Sequence, residues 1–398
     1  MRKKIKVDYL RPGMFIDKLD GSWLKHPFWK TSFILENPRD LKTIKDSGIS
    51  HVWIDTSRGD DVEPERKPDI EIITPNDKKP ATTNTLSPLN EELEVARQTL
   101  AKARKVTIEM FQEARMGNSI KIEEAGPLVE EISQSVTRNP AAMISITRMK
   151  TMDDYTYLHS VAVCALMIAL GKQLNYEGDL HSLGMAGLLH DLGKMAIPED
   201  ILNKPGKLTD EEFKIIQSHP LSGWEILKES NGVDDIALDV CLHHHERIDG
   251  KGYPDKLSGN DISLVARMGA VCDVYDAITS DRCYKKGWEP AEALKMMASW
   301  KEGHFDNNVF NAFVKTVGIY PTGSLVKLHS GRLGIVIEQS EKTLLKPKIK
   351  TFYSCTAKAP IPQKIVDLTR SQETIESIEE PETWGFNQQR IIDLLIES

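Results

Sequence analysis

Seven side chains in this sequence combine the types and spacings that hold metal: His159, the pair His190-Asp191, His219, the pair His244-His245, and Asp273. Imidazole and carboxylate without thiolate suit iron, manganese, nickel or zinc. Adjacent residues of a helix point about 100° apart, so neither pair can grip one ion from one face as an i,i+4 pair would. His190 can serve one ion while Asp191 bridges two, and His244-His245 poses the same geometry. That favours two centres over one. Any one of these histidines taken alone reads as a satisfied core residue before it reads as a ligand, and spacing by itself leaves the two-metal site open. His26, His51, His181, His304 and His329 read as structural, and His243 is the ambiguous member of its run.

The elements that must position these residues are helical. From Asn90 to about Gly318, apolar residues recur every three to four positions, as in Leu93, Ala96, Leu100 and Ala103, and in Leu158, Val161, Ala162, Ala165 and Ala169. Asp273 falls on a helix expected over Leu264–Thr279. Gly171 and Gly178 bracket a turn, Thr209 or Asp210 with Glu212 reads as a capping box, and Pro220 suits the first turn of a helix. Before this region, Ile5–Asp17, Ser32–Leu35 and His51–Ile54 look like short strands, and Pro38–Ser47 looks helical. Five of the 20 prolines (Pro64, Pro68, Pro75, Pro80, Pro88) crowd a polar stretch that reads as a linker. After Tyr320, alternation returns: Ser324–Leu328 and Leu333–Glu338 flank Ser330-Gly331 as a hairpin, Lys348–Tyr353 adds a third strand, and the acidic Ser371–Pro381 reads as a loose tail.

The 398 residues divide into a small α/β, mostly β, module (1–60), a linker (61–90), connecting helices (91–149), a helical core (150–320) and a short β-rich segment with an acidic tail (321–398). The expected class is mainly α. A net charge of −8 excludes a basic field for gripping DNA. No apolar run is long enough to span a membrane, and no signal peptide follows the basic start. The 5 scattered cysteines form no CxxC pair, which fits a cytoplasmic protein without a disulfide framework or zinc ribbon.

The residues around the ligands carry a resemblance. Tyr155-Thr-Tyr-Leu-His159, His190-Asp191-Leu-Gly-Lys194, Asn203-Lys204-Pro205-Gly206-Lys207, His219-Pro220, His244-His245-Glu246-Arg247, Gly252-Tyr253-Pro254 and Asp273-Val-Tyr-Asp276 follow in order. Residues 150–318 resemble the HD-GYP family, a branch of the HD-domain metal phosphohydrolases. Residues 1–60 resemble the small domain of unknown function that often precedes it.

The resemblance implies an HD-type helical bundle binding two divalent ions through His159, His190, Asp191, His219, His244, His245 and Asp273, with Asp191 bridging. It implies that Lys194 contacts the substrate phosphate, that Arg282 and Lys285 reach the second phosphate, and that Gly252-Tyr253-Pro254 is a loop element. Three-metal members carry glutamate where this chain has Tyr155, so two ions are expected, iron or manganese first, nickel or zinc after them. The implied activity is hydrolysis of cyclic di-GMP to pGpG, and onward to GMP, by in-line attack of a metal-bridging hydroxide. Lys194 and the ions would hold the phosphate oxygens as charge builds.

The alternatives are the same chemistry on cyclic GMP-AMP, a non-catalytic module binding a cyclic dinucleotide or a diguanylate cyclase domain, and a di-iron oxygenase. The phosphate-binding set disfavours the last. The Asn203–Lys207 loop is either a lid or a plain connector. Glu246, Arg247 and Asp249 either support the histidines or form a surface salt bridge, and Asp276 reads as a packing or hydrogen-bonding residue. The C-terminal strands read as a lid, a homodimer contact or a cap.

Overall fold

The computed structural model describes residues 2–19, 33–35, 41–42, 44–45, 51–60, 87–118, 120–148, 155–204, 206–281, 286–300, 303–340 and 343–397. The chain forms two units, Met1–Thr82 and Thr83–Ser398. In the first, β1 (Arg2–Lys6), β2 (Phe15–Leu19), β3 (Phe33–Ile34) and β4 (His51–Asp55) make an antiparallel sheet of order β1-β4-β2-β3. Alternation drives it: Val52 and Ile54 turn inward to Ile5, Ile16 and Leu35, while Lys4 and Lys6 face out. The described residues of the expected helix, 41–42 and 44–45, are helical.

The second unit opens on α1 (Leu89–Arg115), α2 (Ile122–Arg138) and α3 (Pro140–Arg148). The stretch that carries the candidate ligands follows: α4 (Tyr155–Gln173), α5 (Leu180–Leu189), the short connecting α6 (Glu199–Leu202) and α7 (Asp210–Ile216), then α8 (His219–Glu229), α9 (Asp235–His243) and α10 (Leu264–Thr279). The bundle closes with α11 (Pro290–Trp300) and α12 (Asn307–Val317). Helix α4 is buried without a break from Leu158 to Gly171, as befits a helix apolar on every face at the centre of a bundle. It runs through Gly171 to Gln173, so the expected turn starts later than that glycine. Side-chain caps set the starts of its neighbours: Asp179 for α5, the Thr209–Glu212 capping box for α7, Asp234 for α9 and Ser263 for α10. No helix among the described residues is long and apolar enough to cross a membrane.

The C-terminal segment is larger than its sequence indicated. Five strands, β5 (Leu325–Leu328), β6 (Arg332–Glu338), β7 (Lys348–Ser354), β8 (Ala359–Asp367) and β9 (Ile375–Ile378), form an antiparallel sheet of order β8-β7-β6-β5-β9. The expected hairpin is β5–β6. The acidic tail is not loose: Ser377 pairs with Lys327 and Ile378 with Val326, and Ile375 and Ile378 pack on the outer cluster of Val326, Leu328 and Val336. A last helix, α13 (Gln388–Ile396), buries Ile391, Leu394 and Leu395 in the main core. Its C-terminal carbonyls are met by Lys350, whose Nζ donates to Leu394 O at 2.8 Å and to Glu397 O. Residues 61–86 of the expected linker lie outside the described residues, and α1 already begins at Leu89.

Candidate metal centre

Five helices and one turn converge on the site. His159 lies in the first turns of α4, His190 ends α5, Asp191 starts the 3-10 turn Leu192–Ala196, His219 begins α8, His244 and His245 follow α9, and Asp273 sits mid-α10. Two close approaches make the convergence possible. A Cβ on Gly193 would lie 1.9 Å from His219 O and 2.4 Å from Gly223 N, so the turn after Asp191 rests directly on α8. A Cβ on Gly252 would lie 2.5 Å from Glu246 Cα and 2.6 Å from His245 O, so the Gly252-Tyr253-Pro254 loop lies against the backbone of the His244-His245 run.

The seven residues form two groups that share one carboxylate. His159, His190, Asp191 and Asp273 make the first, and Asp191, His219, His244 and His245 the second, each with ligand atoms within 4.8 Å of one another. Asp191 divides its oxygens between them. Oδ2 lies 3.4 Å from His159 Nε2 and 3.3 Å from His190 Nε2, and Oδ1 lies 3.3 Å from His219 Nε2 and 3.7 Å from His244 Nε2. Asp273 Oδ1 is 3.0 Å from His159 Nε2, and its Oδ2 is 4.0 Å from His245 Nδ1. The residues read from spacing are thus all brought together.

Four of the five imidazoles have their outer nitrogen fixed. Nδ1 of His190 donates to Gly187 O (2.8 Å), that of His219 to Ile216 O (2.7 Å), that of His244 to Val240 O (3.0 Å), and that of His159 to Asp276 Oδ2 (2.7 Å). Each bond turns Nε2 inward, as a metal-ligating histidine requires. His190 Nε2 and Asp191 Oδ1 are fully buried and have no hydrogen-bond partner among the described residues. Leaving such groups unsatisfied is costly, and a cation among them would satisfy both. The residues fit divalent metal.

The electrostatics agree. Burial alone would raise the Asp191 carboxyl, but Lys194 and His190 outweigh it and hold it well below the ordinary carboxylate range. Asp273 is held down likewise by His159 and His190. Burial opposes protonation of His190, yet the Asp191 and Asp273 carboxylates push it up to about 10. Ligating imidazoles must be neutral and ligating carboxylates ionised, so a cation bound here would displace the proton from His190. His245 runs the other way, lowered to about 3 by burial and by His219 and Lys194 against the pull of the aspartates.

Comparison with known proteins is consistent with this geometry. An HD domain matches residues 132–309, and a domain of unknown function, DUF3391, matches residues 2–125. A cyclic di-GMP phosphodiesterase of Pseudomonas aeruginosa is 52% identical over 390 residues, covering 97% of this chain and 94% of that one. The chain belongs to the HD-GYP family of HD-domain phosphohydrolases. The cyclic di-GMP phosphodiesterase response regulator RpfG of Xanthomonas campestris is 42% identical over 140 residues, 35% of this chain and 37% of that protein. A 3'3'-cGAMP-specific phosphodiesterase of Vibrio cholerae is 40% identical over 131 residues, 33% of this chain and 25% of that protein.

Within this HD-GYP chain, Lys194 pairs with Asp191 Oδ2, and its side chain is 22% exposed. His245 is 23% exposed, so these two mark the open side of the site. Arg282 and Lys285 lie outside the described residues. Asp276, read from sequence as a packing or hydrogen-bonding residue, bonds a ligand ring directly. Its spacing of three from Asp273 was the available signal, since both fall on one face of α10. Arg247 and Asp249 pair with each other at 2.8 Å. Lys204 of the Asn203–Lys207 loop is tied to Glu212 at 2.7 Å through both carboxylate oxygens. His243 does not join the ligands: its nitrogens meet Asp239 (2.6 Å) and Asp255 (3.1 Å).

Proposed function

We propose that this chain hydrolyses cyclic di-GMP, opening one phosphodiester to give pGpG and the second to give GMP. The observation that carries the reading is the division of the Asp191 oxygens between two ligand groups, the arrangement a carboxylate bridging two ions needs. His159, His190 and Asp273 would hold one ion, and His219, His244 and His245 the other. The nitrogen and oxygen donors suit iron or manganese, and nickel or zinc satisfy the same set. Divalent ions bound there would supply Lewis-acid activation of water and neutralisation of charge at phosphorus.

The chain's own residues do the rest. Lys194, at the open side, offers an ammonium to the non-bridging phosphate oxygens as negative charge grows, and its pairing with Asp191 keeps it aimed there. Buried walls of α4 and α10 exclude bulk water behind the site, which strengthens every charge interaction in it. Arg282 and Lys285 are assigned to the second phosphate on sequence grounds. Tyr155 at the register of the third-ion glutamate supports a count of two, and diguanylate cyclase domains or a second copy of the chain are the expected protein partners.

The test is turnover by purified, metal-loaded protein of cyclic di-GMP, and separately of cyclic GMP-AMP, resolved by chromatography. Linear pGpG and GMP are expected from the first, with loss of turnover in His190→Ala and Asp191→Ala and a raised KM in Lys194→Met. Faster turnover of cyclic GMP-AMP would move the substrate assignment to that ring. No turnover of either with iron, manganese or nickel would overturn the enzyme reading.

A further inference from the structure

His245 differs from the other four ligand histidines. Helix α9 ends at His243 and His244 caps it, and His245, just beyond, turns Nδ1 towards Asp273 where the other four turn Nε2 inward. Among the described residues its ring meets no outer carbonyl or carboxylate of the kind that fixes His159, His190, His219 and His244. It has instead a ring at its face. Tyr253 stacks on His245 with centroids 4.7 Å apart and planes 24° from parallel.

The loop that presents Tyr253 is fastened to both flanks of the ligand pair. Tyr253 N donates to His245 O at 3.3 Å. Asp255 N donates to Glu246 Oε1 at 2.7 Å, and Asp255 Oδ2 faces His243 Nε2 at 3.1 Å. The run His243-His244-His245-Glu246 therefore alternates in use. Its inner pair faces the metal centre, and its outer pair grips the loop. Gly252 permits the approach, since any Cβ there would strike the backbone of His245 through Arg247.

We propose that the Gly252–Asp255 loop is the orienting partner of His245, and that Tyr253 is a positioning residue for the second ion. Ring stacking takes the place of the hydrogen bond that aims each of the other histidines. The loop thus acts on the group of Asp191, His219, His244 and His245 and leaves the His159 group untouched. This rests on the metal reading above. Outer partners of metal ligands are commonly worth about 10- to 100-fold in affinity, and the effect is expected to fall on one ion of the two.

Calorimetric titration of the full chain with manganese(II), with electron paramagnetic resonance at saturation, tests it. Tyr253→Phe keeps the stacked face and should hold both ions within about 3-fold of the wild type. Tyr253→Leu should weaken one ion by about 10- to 100-fold, leave the other unchanged, and replace the spin-coupled spectrum by that of an isolated ion at low loading. Asp255→Asn, which only loosens the tie to His243, should give the same selective weakening at smaller size, and serves if the leucine variant does not fold. Unchanged affinities in Tyr253→Leu and Asp255→Asn, or equal weakening of both ions, overturn the proposal. A wild type that binds no manganese overturns the metal reading itself, and the proposal with it.

Discussion

Asp276 Oδ2 stands 2.7 Å from His159 Nδ1, while Asp273 Oδ1 stands 3.0 Å from Nε2 of the same ring. Two carboxylates one turn apart on α10 hold the two nitrogens of one imidazole on α4. The inner one is a proposed ligand, and the outer one is placed to set the tautomer and raise the ring's basicity. Asp276→Asn keeps the shape and removes the charge. Metal affinity of the His159 group should fall about 10- to 100-fold with the fold intact, read by competition with a chelator. Affinity unchanged in this variant would reduce Asp276 to a packing residue.

The contact of Gly193 with α8 has a stability consequence. Its absent Cβ would fall 1.9 Å from His219 O, and a backbone atom cannot swing aside. Gly193→Ala should cost about 3 kcal/mol in a denaturant titration, the upper end of the usual overpacking range. It should also lower metal content, because α8 can retreat only by carrying His219 away from Asp191. A variant of wild-type stability and full metal content would show that the turn has slack.

His304 gives a pH dependence. Burial and the Arg247 guanidinium lower it to about 4, against the partial opposition of Asp249. The unfolded histidine, near pKa ~6.5, binds its proton first. Between those values the unfolded chain carries a proton that the folded chain refuses, so stability is present above pH ~6.5 and lost as pH falls towards 4. The melting temperature advantage of the wild type over His304→Gln should shrink from pH 7 to pH 4.5. Parallel melting curves across that window would exclude the linkage.

Lys350 anchors the last helix. Its buried ammonium donates to the carbonyls of Leu394 and Glu397 at the end of α13. Lys350→Met leaves those acceptors unmet and should cost about 1–3 kcal/mol. Hydrogen exchange should quicken in Gln388–Ile396 before it does in α4. Uniform exchange in both segments would show that α13 is held by its apolar face alone.

Much of the chemistry was legible along the chain. The ligand types and their order, the α10 boundaries and the Thr209–Glu212 cap are local patterns, written in neighbouring residues and helical period. The C-terminal sheet was only half legible. Its hairpin is local, but β9 pairs with β5 across some fifty residues, and α13 earns its place through burial against a distant core. The sequence could not say which oxygen of Asp191 serves which histidines, that Asp276 holds His159, or that Tyr253 covers His245. Those relations join residues of separate elements, so they depend on how closely helices approach. That approach is decided where the missing side chains of Gly193 and Gly252 let backbones touch, which only the packed structure determines.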